Sequence, residues 1–170
     1  MSWELITETV QPSDDPTITA NFTNVNFSDV SMFVVSFQGT DGIASQGSYL
    51  RIGTSSGVIT SSDYDINQIF VGDSTHFTTV GYSGYVNNSD WAINNSWTNN
   101  SSFPMIYIWQ NPTTDKPQMS MECGTENTWS ASAGWLDTTL TSLGEVTITG
   151  DSSNDILQNS RMQVYKVLSA

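Results

Sequence analysis

Short apolar runs separated by polar turns recur along this chain, and the clearest of them covers residues 31–37. The run reads Ser-Met-Phe-Val-Val-Ser-Phe and contains two valines, two aromatic rings and no charge. So short a segment makes a poor isolated helix, and the β-branched valines favour an extended backbone. Turn residues follow it at Gly39, Asp41 and Gly42. The pattern therefore predicts a buried strand at the centre of the fold.

Alternation of apolar and polar residues predicts further short strands before and after this central run. They cover residues 3–10, 17–22, 48–52, 75–82, 105–110, 118–123, 128–133, 145–149 and 161–168. Residues 58–72 are ambiguous and are compatible with a packed loop. No stretch repeats apolar residues at the helical spacing. Short strands joined by turns predict an all-β fold, a jelly-roll-like antiparallel β-sandwich. We expect residues 1–170 to form a single domain, because no boundary is visible.

The first predicted strand divides its residues between two faces by their parity, since side chains alternate along a strand. One face is expected to carry Trp3, Leu5, Thr7 and Thr9, and the other Glu4, Ile6, Glu8 and Val10. Three tryptophans lie in predicted strands and are expected to be in the core or half-buried: Trp3, Trp109 and Trp129.

Residues 87–102 are rich in Asn and Ser and predict a long exposed loop. Long ordered loops often carry function. Tyr82, Tyr85, Trp91 and Trp97 lie in this segment or next to it, and they are the candidate binding residues. Aromatic rings among Asn, Ser and Thr suit sugar stacking or a subunit interface. The alternative is that these rings only pin the loop to the domain.

The charge balance excludes two classes of partner. The chain has 17 acidic and 4 basic residues and a net charge of −13. Such a surface repels nucleic acid and anionic membranes. No apolar run approaches the length of a membrane span, and the first residues lack the features of a signal peptide. With one cysteine, no intrachain disulfide can form. We expect a soluble protein that is made in a cytoplasm.

Residues that could carry chemistry are few. His76 is the one histidine, so it cannot form a multi-histidine metal site, and no nucleophile-elbow motif accompanies it. Cys123 is expected to be a buried, inert thiol. Residues 63–67 begin like an EF-hand, but Gln68 and Ser74 stand where Gly and Glu are required. A looser cation site there stays open as an alternative. We expect no enzymatic activity, no metal site and no cofactor.

The C-terminal segment, residues 146–167, resembles the end of a jelly-roll domain of tailed-bacteriophage virion proteins. Domains of this kind occur in capsid decoration proteins and in fibre tips. Four residues agree with the family's closing motif: Ser160, Arg161, Val164 and Tyr165. Asn159 and Lys166 stand where the family usually has glycine. Asn tolerates a left-handed backbone, and Lys166 suggests that the last strand continues. Residues 18–37, 107–121 and 135–140 resemble the family more loosely.

The resemblance implies a virion structural protein without catalysis. The domain begins close to Met1 with no shaft or coiled-coil repeat, which suits a decoration (cement) protein on the capsid surface. Its expected partners are the major capsid protein and further copies of itself, as dimers or trimers. The alternative is a receptor-binding fibre or tail tip domain that recognises host surface glycans for attachment.

Overall fold

The computed structural model describes residues 1–39, 48–72, 80–88, 91–94, 104–124, 128–150 and 156–168. These residues form strands and one short 3-10 turn, Phe27–Asp29, and they contain no α-helix. The strands are β1 (Ser2–Val10), β2 (Thr17–Asn26), β3 (Met32–Gln38), β4 (Ser48–Thr54), β5 (Gly57–Val58), β6 (Tyr64–Gly72), β7 (Val80–Asn88), β8 (Trp91–Asn94), β9 (Met105–Gln110), β10 (Pro117–Gly124), β11 (Thr128–Leu136), β12 (Ser142–Gly150) and β13 (Arg161–Leu168). No helix in this described part is long and apolar enough to cross a membrane.

The strands pair into two antiparallel sheets. The larger sheet has eight strands in the order β1-β13-β3-β9-β10-β11-β6-β7. The smaller sheet has the order β2-β12-β4-β5, and β8 also pairs with β4. Strand neighbours are therefore mostly distant in sequence, as in jelly rolls and other sandwiches with crossing connections. The predicted all-β, jelly-roll-like antiparallel sandwich is confirmed, whereas the single-domain expectation stays a prediction.

The core lies between the two sheets and draws on both. Phe33, Val35 and Phe37 of β3 are fully buried in it. Across the core, Ile148 of β12 and Leu50 of β4 are fully buried as well. The predicted central strand is thus an interior strand, flanked by β13 on one side and β9 on the other. Its alternate residues contact the facing sheet, because side chains alternate between the two faces of a strand.

Two segments differ from their expected structure. The ambiguous residues 58–72 are largely strand β6, which begins at Tyr64. The expected loop at 87–102 contains the end of β7 and all of β8. Turn-forming Asn and Ser dominate this segment locally, but pairing with β6 and β4 supplies backbone hydrogen bonds that local propensity does not register.

A bulge in β1 reverses the facing of its residues. Leu5 pairs with Tyr165, and Thr7 pairs with the next residue along β13, Val164. Ile6 is the extra residue, and its side chain packs against the core. A bulge of this kind places two residues of one strand opposite one residue of its neighbour. The parity of the outward positions therefore changes at the middle of β1.

The bulge makes the expected division of β1 wrong beyond Leu5. Trp3 and Leu5 point outward before it, and Val10 points outward after it. Their exposed fractions are 53%, 52% and 42%. Trp3 is therefore exposed, which corrects the expectation that it lies in the core or is half-buried. Trp109 is half-buried, as expected, and the side chain of Trp129 lies outside the described ones.

The closing segment has the backbone that Asn159 and Lys166 suggested. Asn159 has a left-handed backbone, with φ of 69°, at the position where the family usually has glycine. Its backbone N–H donates to the carbonyl of Gln11 at 2.9 Å, so the closing loop is tied to the first turn. β13 runs through Lys166 without interruption, as the absence of a glycine there predicts.

Candidate functional site

Exposed large apolar side chains are concentrated at one edge of the eight-stranded sheet. Among the described residues, five such side chains are exposed: Met1, Trp3, Leu5, Val10 and Trp135. Four of these five lie within the first ten residues, and β1 is the end strand of the sheet order. Scattered apolar residues on a surface need no explanation, but a contiguous group indicates a binding surface.

Further aromatic rings continue this surface across the outer side of the sheet. We call it the aromatic face and define it by Trp3, Leu5, Met32, Tyr107, Trp109, Trp135 and Tyr165. Register connects its members, because Trp3 pairs with Val167 and Val167 pairs with Met32. Two residues further along, on the same face, Tyr165 pairs with Val34 and Val34 pairs with Tyr107. Directly paired residues share a face of the sheet.

The rings form a thin apolar layer outside the main core. Val34 is fully buried and Val167 is 1% exposed, yet neither belongs to the core between the sheets. Both are covered from outside, and their neighbours in register are Trp3, Tyr107 and Tyr165. Val34 and Val167 therefore form a buried apolar base beneath the rings of the aromatic face.

A groove of about 590 Å³ opens on this face. Its lining comprises three aromatic, three aliphatic or thioether and three polar side chains: Trp3, Tyr107, Trp109, Met1, Met32, Val167, Ser31, Gln110 and Ser120. No Asp, Glu, Lys or Arg side chain lines it. Its volume lies within the range of small-molecule sites, which are concave and mostly apolar with a few polar groups.

Hydrogen bonds and ring contacts hold two of the aromatic side chains of the groove. The indole N–H of Trp109 donates to Oε1 of Gln118 at 2.8 Å. The ring of Trp3 lies 6.0 Å from that of Tyr165, at an angle of 55°. Tyr165 in turn donates its hydroxyl hydrogen to Gln163 at 2.9 Å. These contacts reduce the freedom that the rings would lose on binding a ligand.

The outer side of the smaller sheet is polar, in contrast to the aromatic face. Thr19 and Thr147 lie opposite each other on β2 and β12, with their hydroxyl oxygens 3.2 Å apart. Thr17 and Thr149 form a second such pair at 3.4 Å. Cross-strand threonine pairs stabilise a sheet, and the pair with Thr19 satisfies the hydroxyl of Thr147, which is buried. The two outer surfaces of the sandwich thus differ in chemistry, and the larger sheet carries the apolar one.

Ion pairs neutralise basic side chains near the edge of the aromatic face. Lys166 Nζ lies 3.0 Å from Glu4 Oε2, and Arg161 lies 3.5 Å from Glu8. Both pairs are partly exposed and contribute little to stability. With 17 acidic residues against 4 basic ones, the surrounding field remains negative.

One carboxylate outside this face has a perturbed pKa. Asp63, just before β6, accepts hydrogen bonds from the hydroxyls of Ser61 and Thr138. These two bonds, with a smaller contribution from the charge of Lys116, lower the pKa of Asp63 below its ordinary value of 3.8. Within the described residues, no group of three His, Cys, Asp or Glu side chains is placed to hold a metal ion. Through the two hydroxyl bonds Asp63 connects the residues just before β6 to the residues that follow β11.

The four candidate residues from the sequence do not share one loop. Tyr82 and Tyr85 lie in β7, where they pair with Ile69 and Ile66 of β6. Trp91 lies in β8 and pairs with Leu50 of β4, in the other sheet. Trp97 lies outside the described residues. Their role as interface or glycan-binding residues stays a prediction, as does the absence of a role for His76 and Cys123, whose side chains also lie outside the described ones.

Sequence reasoning missed Trp3 and Trp135 as surface residues. Trp3 was expected in the core or half-buried because it lies in a predicted strand. Trp135 lies beyond the predicted strand at 128–133, whereas the structure places it in β11, 39% exposed. A usable signal was the clustering of Met1, Trp3 and Leu5 beside Glu4, since large apolar residues next to a charge at a chain end are poor core candidates.

The paired antiparallel sheets define this chain as a β-sandwich protein. No family model matches it, and no curated protein matches it in sequence. Among solved structures, a peanut lectin determined with a nine-residue peptide aligns over 99% of this chain and 92% of the lectin chain. The two share 11% sequence identity, with a TM-score of 0.48.

Proposed function

We propose that this chain is a structural protein of a tailed-bacteriophage virion. In this role it decorates the outside of the capsid, binds the major capsid protein and stabilises the assembled lattice. The observation that carries the proposal is the exposed apolar edge strand β1. The resemblance of residues 146–167 to virion jelly rolls supports the virion as the place where the protein acts. The left-handed backbone of Asn159 is consistent with the closing loop of those domains.

The edge strand offers two kinds of contact. Trp3, Leu5 and Val10 present apolar side chains on its outer side. The strand pairs with β13 and has no second neighbour among the described strands, so its free side can accept a strand from a partner. Strand addition supplies main-chain hydrogen bonds, while side chains on the face supply specificity. A docking role explains why apolar residues stay exposed there.

Charge favours a basic partner at this edge. Glu4 and Glu8 of β1 are paired with Lys166 and Arg161, so the attraction comes from the net charge of −13 of the whole chain. Acidic residues on an edge strand discourage pairing between identical copies. A complementary surface with Lys or Arg around an apolar centre would be approached faster and bound more selectively. We propose that the major capsid protein carries this complementary surface.

Stabilisation follows from binding the assembled lattice alone. A protein that binds one state shifts the equilibrium toward that state by mass action. Each contact can be modest, because many copies on a lattice make the attachment multivalent. Association into dimers or trimers remains part of the proposal, and light scattering of the purified chain measures it directly.

The proposal is tested with capsids that lack this protein. We expect them to lose heat and osmotic resistance, and to regain it when the purified chain is added back. The double variant Leu5→Thr/Val10→Thr keeps strand-forming residues but removes apolar surface, and it should fail to restore resistance. The matched control is Asn21→Thr, an exposed residue on β2 of the other sheet. Full resistance without the protein, or capsids that do not rebind it, would eliminate the decoration role.

The second candidate function is host attachment through glycans. It is favoured by the groove on the aromatic face, which has the size and lining of a small-ligand site. Under this alternative, particles without the protein keep their resistance but lose adsorption to host cells. Measuring adsorption on the same particles separates the two functions.

A further inference from the structure

We propose that the groove on the aromatic face is a binding site for a neutral oligosaccharide. The site comprises Trp3, Met32, Tyr107, Trp109 and Ser120, and so differs from the aromatic residues that the sequence indicated. The proposal rests on the second candidate function, host attachment, and does not require the decoration role. Four of its five residues lie on β3, β9 and β10, and Trp3 alone lies on β1.

The groove has no charged side chain in its lining, and this favours a neutral ligand. A chain with 17 acidic residues leaves the groove without a single Asp, Glu, Lys or Arg side chain. A cationic ligand would find no carboxylate in the groove, and an anionic ligand would find no basic side chain. An ion held there would lose hydration without gaining a counter-charge. Uncharged ligands avoid this cost.

Aromatic rings supply the main contact surface for a sugar. A pyranose ring has C–H groups on its faces and hydroxyls around its rim, so it stacks on an aromatic ring and keeps its rim polar. Trp3 is 53% exposed and therefore accessible at the groove. Trp109 is oriented by its hydrogen bond to Gln118. Trp and Tyr suit such amphipathic contacts because each combines an apolar ring with one polar group.

Polar groups at the groove distinguish this site from a purely apolar one. Tyr107 and Ser120 are directly opposite each other on β9 and β10. Both line the groove, and neither hydroxyl is hydrogen-bonded to another residue in the described part of the chain. Each hydroxyl can donate and accept. The rim hydroxyls of a sugar need both functions, whereas an apolar peptide side chain needs neither.

The test is calorimetric titration of the full chain with four neutral sugars: cellobiose, maltose, lactose and N,N′-diacetylchitobiose. We expect at least one to bind at millimolar concentration or below. Trp3→Ala should weaken that binding about tenfold, the effect of losing one stacked ring. Tyr107→Phe should weaken it several-fold by removing one hydroxyl. The matched control is Trp135→Ala, an exposed tryptophan on the same face that does not line the groove, and it should leave binding unchanged.

A second variant separates loss of the binding site from loss of the fold. Ser120→Trp fills the groove while leaving the core residues in place, and Trp is well accepted in strands. With an unchanged melting temperature, this variant should abolish sugar binding. No binding of any of the four sugars, binding that survives Ser120→Trp, or equal loss in Trp135→Ala would overturn the proposal. Tyr107→Phe and Ser120→Trp assayed for capsid rebinding report on the decoration role separately, since neither changes β1. Trp3→Ala is left out of that comparison, because Trp3 also belongs to the apolar edge strand.

Discussion

The hydroxyl of Tyr64 accepts a hydrogen bond from the backbone N–H of Ile52 at 3.0 Å and thereby joins the two sheets through the core. Tyr64 lies in β6 of the larger sheet and is fully buried, while Ile52 lies in β4 of the smaller one. The same hydroxyl is 3.2 Å from the carbonyl oxygen of Ile59, to which it donates. One side chain therefore satisfies a backbone N–H of β4 and a backbone carbonyl just after β5, which is only two residues long.

Tyr64→Phe tests this connection. The substitution keeps the ring but leaves the N–H of Ile52 without its partner inside the core. We expect a loss of about 1–3 kcal/mol in the free energy of unfolding, measured by urea denaturation. The matched control is Tyr107→Phe, whose hydroxyl bonds to no other described residue and should change stability by less than about 0.5 kcal/mol. Equal effects in the two variants would show that the Tyr64 hydrogen bond contributes nothing specific.

Ser132→Ala should stabilise the protein. Ser132 is 5% exposed on the inner side of β11, and its hydroxyl has no hydrogen-bond partner among the described residues. Removing a buried, unsatisfied hydroxyl recovers the cost of its desolvation, about 1 kcal/mol. Thr147→Val is the control with the opposite expected sign, because Thr147 is buried and bonded to Thr19. Thermal unfolding of both variants decides the question, and a clear loss of stability in Ser132→Ala would contradict it.

Substitution of Asn159 by glycine is expected to preserve the stability of the protein, and substitution by alanine is expected to lower it. Its φ of 69° lies in the left-handed region, where a β-carbon costs about 1–2 kcal/mol. Asn159→Gly should therefore be close to neutral, and Asn159→Ala should destabilise by about 1 kcal/mol. Asn21→Ala, in the extended backbone of β2, provides the matched control and should have little effect. The opposite ranking of Gly and Ala by chemical denaturation would show that the loop adopts another conformation.

Asp63 should make stability depend on pH in the acidic range. Because the hydroxyls of Ser61 and Thr138 lower its pKa below 3.8 in the folded state, the unfolded chain binds a proton more readily. The resulting stabilisation is fully present above the unfolded pKa and is lost as the pH falls through the folded one. Asp63→Asn should remove this part of the pH dependence. NMR titration of the Asp63 carboxyl should give a pKa below 3.8, raised by Ser61→Ala or Thr138→Val, and an unshifted pKa would refute the assignment.

Local rules predicted the class of fold and several of its elements. The β-branched, uncharged run at 31–37 indicated an interior strand because burial on both sides favours such residues. Asn159 was compatible with the left-handed backbone that it adopts in the last loop. Each of these predictions concerns a short segment whose conformation depends mainly on residues close to it in the sequence.

Tertiary structure decided which surfaces face water. Period-two alternation separates the two faces of a strand, but it does not say which face meets the other sheet. Val34 is as buried as Val35, and the pairing of β3 with β13 and β9 determines that only Val35 lies between the sheets. In the same way, the bulge at Ile6 is a feature of the pairing of β1 with β13, where the register shifts. That non-local pairing exposes Trp3 and builds the groove, so the sequence alone could predict the strands but not the candidate site.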